Sequence, residues 1–522
     1  MKIPASLSLL RPLALALSTT ILLAAPPAHA ANDTTRVIVA FKPGAAAALR
    51  NAVAAARGNV KHEIFGMDAM AIEVPTQALN GLSRNPKVDY VEEDVKRYPM
   101  GGSTPSTGTP YATGQQVPYG IAMVQADQFA GANLSSRKVC IIDSGYDRAH
   151  EDLSTGSHVT GEYDSGTGWW YTDENSHGTH VAGTISALNN AGKGVVGVNS
   201  NATLKLHIVK VFGAEAWAYS SSLTTAANKC KAAGANVISM SLGGSRANKT
   251  EQRAFDSLYA GGILSVAAAG NAGTTARSYP ASYSSVMSVA AIDESKAWAT
   301  FSQYNAEVEI AAPGVNVLST VPMGSGSASA LSVGGTAYAP GAMDGSPKLT
   351  VTAALADFGL GGAAVAGSMS NKVCLIQRGT YDFATKVGNC QASGGLGAVV
   401  YNNAAGGFGG TLGTVLTGIP SVTASDTEGA AMQLQLGQSA TVAVTAASYA
   451  NFDGTSMATP HVSAVAALVW SQNLNCTAAQ LRNSLNKSAQ DLGSAGRDTK
   501  FGFGLIQAKA ADTRIKSLGC GN

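Results

Sequence analysis

At 522 residues the chain is too long for one ordinary domain, so about three to four units and a large buried core are expected. Only 13% of the residues are charged and the formal net charge is +2, with no dense Lys/Arg stripe. That balance excludes a phosphate-neutralising nucleic-acid binder and implies no strongly charged partner.

Residues 1–30 carry Lys2 and Arg11, an apolar stretch from Leu13 to Ala25, and then Ala28-His29-Ala30, a small-x-small pattern. This reads as a secretory signal, because the apolar run is shorter than the about 20 residues of a membrane span. No later segment is long and apolar enough to cross a bilayer. A secreted, extracellular monomer without membrane attachment after signal removal is expected.

Residues 31–100 read as a small α+β unit. A strand-like Thr35–Phe41 precedes an Ala-rich helical stretch, a second strand spans Ala69–Val74, and another helical stretch leads to Val88–Asp94. Residues 101–114, rich in Gly, Pro, Ser and Thr without periodicity, read as a linker. From residue 115 short β-branched runs alternate with Ala-rich helical stretches, the texture of an α/β doubly wound parallel sheet. The predicted strands are Lys138–Ile142, Thr203–Val211, Val237–Met240, Ile263–Ala267 and Val286–Ala290. Between 323 and 448 the chain turns Gly-rich and β-rich with few charges. The helical pattern returns only after Thr455, so this stretch reads as an insertion dividing the larger domain into 115–322 and 449–522.

Six cysteines in an exported chain favour disulfides, although 15 pairings are open in principle. Locality favours Cys374 with Cys390, inside the insertion, and Cys476 with Cys520, around the C-terminal tail. Cys140 and Cys230 are left for each other, with buried free thiols as the alternative.

Amide hydrolysis by a hydroxyl needs a base beside it and a third group to orient that base. Asp143 ends the apolar run Val139-Cys140-Ile141-Ile142-Asp143-Ser144-Gly145 at the carboxyl edge of a strand, where crevices form. His177 opens His177-Gly178-Thr179-His180-Val181-Ala182-Gly183-Thr184. Ser456 lies in Asp453-Gly454-Thr455-Ser456-Met457-Ala458-Thr459-Pro460-His461, ahead of an apolar helical run. A helix start there aims amide N–H groups at a developing oxyanion. Singly, each motif is also an ordinary turn, a structural histidine or a helix start; together, in this order, they are specific.

The three motifs resemble those of the subtilisin family of serine proteases over residues 115–320 and 450–512. The resemblance implies Asp143 as orienter, His177 as general base and then acid, and Ser456 as nucleophile. Asn271, in Ala267-Ala268-Ala269-Gly270-Asn271, would supply the oxyanion amide together with the Ser456 N–H. Ser241-Leu242-Gly243-Gly244 is similar to the segment that pairs with an extended substrate, and Ala214–Tyr219, with Ala216, to the opposite edge. The small residues Gly243 and Ser278 suggest a roomy pocket accepting large apolar side chains. His180 and His461 fall inside motifs but are expected to buttress them. Neither HExxH nor paired Cys-x-x-Cys occurs, which argues against zinc. A structural Ca²⁺ site of Gln115, Asp152, Leu188, Asn190, Lys193 and Val195 is implied, with Lys193 in a loop one residue longer than usual.

By the same comparison, residues 31–100 resemble an inhibitor-type propeptide that would assist folding, fill the cleft and be cut away between about Tyr98 and Gln115. The insertion resembles a protease-associated domain, notably at Val373–Gly379 and Gly394–Asn403. Tyr381 there stands where many relatives carry Cys, which leaves Cys390 for Cys374. The expected activity is broad endopeptidase action on proteins and peptides through an acyl-enzyme. A silent protease scaffold used for binding is the alternative of different class. An acid-active carboxyl peptidase would require Glu and Asp where His177 and Asn271 stand.

Overall fold

The computed structural model describes residues 33–104, 114–129, 132–190, 192–413 and 415–522. Residues 1–30, read as a secretory signal, and residues 105–113, read as linker, lie outside them. Among the described residues no helix is long and apolar enough to cross a membrane.

The N-terminal unit is a four-stranded antiparallel sheet in which Thr34–Phe41 lies between Ala69–Pro75 and Val88–Glu93. Asn59–Glu63 adds an edge strand that the sequence reading lacked; its alternating, mostly exposed residues give it no apolar run. Val37, Val39, Met70 and Ile72 on one face bury Leu49 and Val53 of helix Ala46–Ala55 and Leu82 of Leu79–Ser83. The period of two sends Ile38 and Ala40 to the other face, against Ile64 and Ala69. Beside that smaller cluster the unit meets the larger domain: Tyr90 Oη lies 3.1 Å from Thr250 Oγ1, and Asn228 Nδ2 donates to the Phe65 carbonyl at 2.8 Å.

The main domain is built on seven parallel strands. Their spatial order is Val308–Pro313, Val286–Ile292, Leu264–Ala268, Val237–Met240, Lys138–Asp143, Lys205–Lys210 and Val159–Gly161. The five predicted strands are present with ends moved by at most two residues. The two edges, Val308–Pro313 and Val159–Gly161, were not expected. Both faces are covered, as a parallel sheet requires. Val139 and Ile141 join the cluster that holds Val181 and Val465, whereas Cys140 and Ile142 join the one that holds Leu223 and Phe255. From Lys138–Asp143 the order runs outward in two directions, so Asp143 sits where crossovers part and leave a crevice.

The insertion forms an eight-stranded mixed sheet between Gly326 and Ala447 with its own apolar clusters, and returns through Val317–Thr320 paired with Tyr449–Asp453. Three disulfides join Cys140 to Cys230, Cys374 to Cys390 and Cys476 to Cys520. One expectation is corrected: residues 102–104, read as linker, form a strand with Asn451–Asp453. Weak intrinsic strand preference in Gly102-Ser103-Thr104 is overridden by antiparallel pairing with Asn451–Asp453.

Candidate active site

Asp143 is fully buried at the end of its strand. Its Oδ1 accepts the Ser144 N–H at 2.7 Å and lies 2.8 Å from His177 Nδ1. His177 is the first residue of helix His177–Ser186. The helix comes this close because Gly178 has no side chain, since a Cβ there would lie 2.3 Å from the Gly145 carbonyl oxygen. Asp173, which the motif reading missed, holds the helix start. Its Oδ1 accepts the N–H groups of Asn175 and Ser176 and its Oδ2 that of Thr179, at 2.8 to 3.0 Å. An acidic residue shortly before a helix is the signal that could have found it. Burial alone would lower the His177 pKa; the charge and hydrogen bond of Asp143, joined by the charge of Asp173, outweigh burial and raise it above the usual 6.5.

Ser456 is the second residue of helix Thr455–Gln472. Pro460 lacks the N–H that would otherwise bond the Ser456 carbonyl, and the Ser241 hydroxyl donates to that oxygen at 2.7 Å instead. Asn271 Oδ1 accepts from Thr455 N and Oγ1 at 2.9 and 2.8 Å, which turns its Nδ2 donor the other way. The Ser456 N–H donates to the carbonyl of Met100 at 3.0 Å. His177 Nε2 has no partner, and Ser456 Oγ lies 3.3 Å from Met457 Sδ. The expected serine–histidine hydrogen bond is therefore not made while the chain lies over Ser456, so close that a Cβ on Gly101 would come within 2.2 Å of Oγ.

That chain occupies the crevice as an extended strand. Lys96–Pro99 pairs antiparallel on both sides, Arg97 and Lys96 opposite Ala218 and Tyr219, and Pro99 and Tyr98 opposite Leu242 and Gly243. The Met100 N–H donates to the Ser241 carbonyl at 3.1 Å, and beyond Gly101 the Gly102–Thr104 strand continues along Asn451–Asp453. A Cβ on Gly243 would meet Ser278 Oγ at 2.4 Å and Met100 Cε at 3.0 Å, so Gly243 and buried Ser278 make the room that the methionine fills. Ala216 precedes the ladder, which runs through Ala218 and Tyr219; its positive φ of 52° turns the chain before the pairing begins.

His180 and His461 are structural. His180 Nε2 lies 2.9 and 3.1 Å from the Val317 and Ala450 carbonyls, and burial lowers its pKa to about 3. His461 Nδ1 lies 2.8 Å from the Met457 carbonyl, and burial lowers its pKa to about 4.

Among the described residues no cluster of three or more His, Cys, Asp or Glu could hold a metal, so a cation would need amide and carbonyl oxygens. Some such oxygens lie close together: Gln115 Nε2 donates to the Leu188 carbonyl at 3.0 Å and to Asn190 Oδ1 at 3.3 Å, and the buried Asp152 leaves Oδ1 without a partner while Oδ2 accepts the Val195 N–H at 2.7 Å. Burial pushes the Asp152 carboxyl up to about 7. These hard donors fit Ca²⁺. Lys193 turns its ammonium away, to Glu151 at 3.1 Å.

The model of the subtilase family matches residues 135–504. An alkaline protease of Alkalihalobacillus alcalophilus is 38% identical over 266 residues, covering 50% of this chain and 64% of that protein, so this chain spans a little under two thirds of that relative. Alkaline elastase YaB of Bacillus sp. (strain YaB) is 29% identical over 86% of this chain and 81% of its own length. The crystal structure of a psychrophilic subtilisin-like protease, Apa1, from the Antarctic psychrotroph Pseudoalteromonas sp. AS-11 covers 78% of this chain and 100% of its own, with 42% identity and a TM-score of 0.61. With a buried Asp143–His177 pair, a serine at a helix start and a family match over most of its length, the chain belongs to the subtilase family.

Proposed function

We propose that the protein is an exported serine endopeptidase made as a precursor, and that its first substrate is its own Met100–Gly101 bond. The observation that carries this reading is the Met100 carbonyl held on the Ser456 N–H in a strand clamped between two edges, the position of a scissile carbonyl. Ser456 Oγ attacks the Met100 carbonyl carbon and passes its proton to His177 Nε2, while Asp143 steadies the imidazolium. The oxyanion is held by the Ser456 N–H and Asn271 Nδ2. His177 then protonates the leaving amine of Gly101, and water, activated by the same imidazole, hydrolyses the acyl-enzyme.

In this reading residues 31–100 are an inhibitory propeptide and folding aid, and large apolar residues such as methionine are accepted before the cut. The insertion stands beside the cleft and guides large substrates, and the mature protein acts as a secreted monomer. Gln115, Asp152, Leu188, Asn190, Lys193 and Val195, the last two through backbone carbonyls, would hold Ca²⁺, which supplies charge for a buried carboxylate and ties two loops; chelation should lower the melting temperature of the mature protein by several degrees. A serine-directed phosphonate tests the activity itself. Labelling is expected in the wild type and absent in Ser456→Ala, and wild-type protein that neither labels nor cleaves casein would overturn the proposal.

A further inference from the structure

Three residues before Met100, Arg97 leaves the ladder and enters the main domain. Its guanidinium is fully buried, as is Glu251 on helix Lys249–Ala260, 154 positions away. The two make a forked pair, Nε to Oε1 at 2.9 Å and Nη2 to Oε2 at 2.5 Å, and Nη1 donates to the Lys96 carbonyl at 3.1 Å. Among the described residues the only other side chain bonded to the carboxylate is Tyr283, whose hydroxyl donates to Oε2 at 2.8 Å and is itself held by the Asn248 N–H at 2.8 Å. Gly244 leaves the entrance open, since a Cβ there would come 2.6 Å from the Lys96 carbonyl and 3.0 Å from Arg97 Nη1. A carboxylate covered in this way is strongly unfavourable without a counter-charge, and among the described residues the only cation paired with it is Arg97, which belongs to the segment that departs in the proposed maturation.

We infer that Glu251 is a specificity residue of the mature protein, recognising an arginine four positions before the cleaved bond in polypeptide substrates. This rests on the peptidase reading and on the Met100–Gly101 register, and deepens both. The planar guanidinium matches the carboxylate through two parallel hydrogen bonds; an ammonium cannot reproduce that fork, and a neutral side chain leaves the carboxylate desolvated and unpaired. Arg97 therefore recruits its own segment to the cleft by the same contact that later selects substrates.

The test uses purified mature protein and peptides matching residues 96–104, with arginine, lysine, citrulline or leucine at the position of Arg97. The expected kcat/KM for arginine exceeds that for citrulline and for leucine by about 10- to 100-fold, with lysine between. In Glu251→Gln the arginine-to-citrulline ratio is expected to fall to within about threefold, since the recognised charge is gone. If that variant fails to fold, the wild-type ratio alone decides. Phosphonate titration at Ser456 separates the two levels of failure. Protein that labels but cleaves the leucine peptide as fast as the arginine peptide overturns the role of Glu251 alone, and protein that neither labels nor cleaves overturns the reading beneath it.

Discussion

The N-terminal unit and the inserted unit each have an apolar core of their own, yet they are joined to the main domain in opposite ways. The N-terminal unit is attached through polar groups and one extended strand. Asp94 accepts from Ser220 Oγ, Ser221 N and Ser221 Oγ at 3.1, 3.0 and 2.7 Å, capping helix Ser220–Ala232, whose own N-cap residue, Tyr219, makes no side-chain cap. Glu92 accepts the N–H groups of Lys249 and Thr250 at 2.7 and 2.8 Å on the neighbouring helix. The inserted unit is covalently continuous at both ends through paired strands, with Tyr449 buried against Ala187 and Val195. Carboxylates on helix ends can exchange with water when one bond is cut, whereas a two-strand neck with an apolar cluster cannot. The first attachment is thus the one that a single cut could release, as the proposed maturation requires.

That contrast can be broken at several points, and replacing Ser456 by alanine should do so most completely. Turnover is expected to drop by about 10⁶-fold, the scale known for the corresponding loss in the relative subtilisin, leaving the N-terminal unit attached while the insertion is unaffected. Asn271→Ala should slow turnover by about 10²- to 10³-fold, again a magnitude from subtilisin, with little change in KM; an unchanged rate in a chromogenic peptide assay would remove Asn271 from the site. The acid limb of kcat/KM sharpens the chemistry. Because only neutral His177 can accept the Ser456 proton, and its pKa is raised, activity should fall about tenfold per pH unit below a midpoint above 6.5. Asp143→Asn should move that midpoint down, and a limb that stays in place would contradict the pairing.

Smaller effects separate the two attachments. Each of Asp94→Ala and Glu92→Ala, in an N-terminal unit added in trans, should weaken inhibition of the mature protein by about 2- to 30-fold, the range of a lost helix cap. Serine at both Cys374 and Cys390 opens a short loop within the insertion. It should cost that unit about 3 kcal/mol in chain-entropy terms, seen by hydrogen exchange, while hydrolysis of small peptides stays within about twofold.

The chemistry was more legible in the sequence than its surroundings were. Asp143, His177 and Ser456 stood out because hydrolysis demands those residue types beside strand ends and helix starts, Asn271 only through the family resemblance, and central strands such as Val237–Met240 show as continuous apolar runs. The edge strand Val159–Gly161 has three residues and too little pattern to reveal it. Gly102–Thr104 is a strand only because Asn451–Asp453 offers an edge, a fact of tertiary structure that no local propensity carries. The Arg97–Glu251 pair escaped for a related reason: its partners lie 154 positions apart, and an isolated charged residue looks like surface until folding removes the water, whereas Asp173 carried a local signal, an acid shortly before a helix, that went unread.

Intact mass and N-terminal sequencing of wild-type and Ser456→Ala protein, expressed identically, bear most directly on the claim that the strand in the cleft is the first thing cut. The wild type should yield a fragment beginning at Gly101 and the variant only uncut precursor with Met100 still joined to Gly101. The same Gly101 terminus in both proteins, or a wild type left whole at that bond, would contradict it.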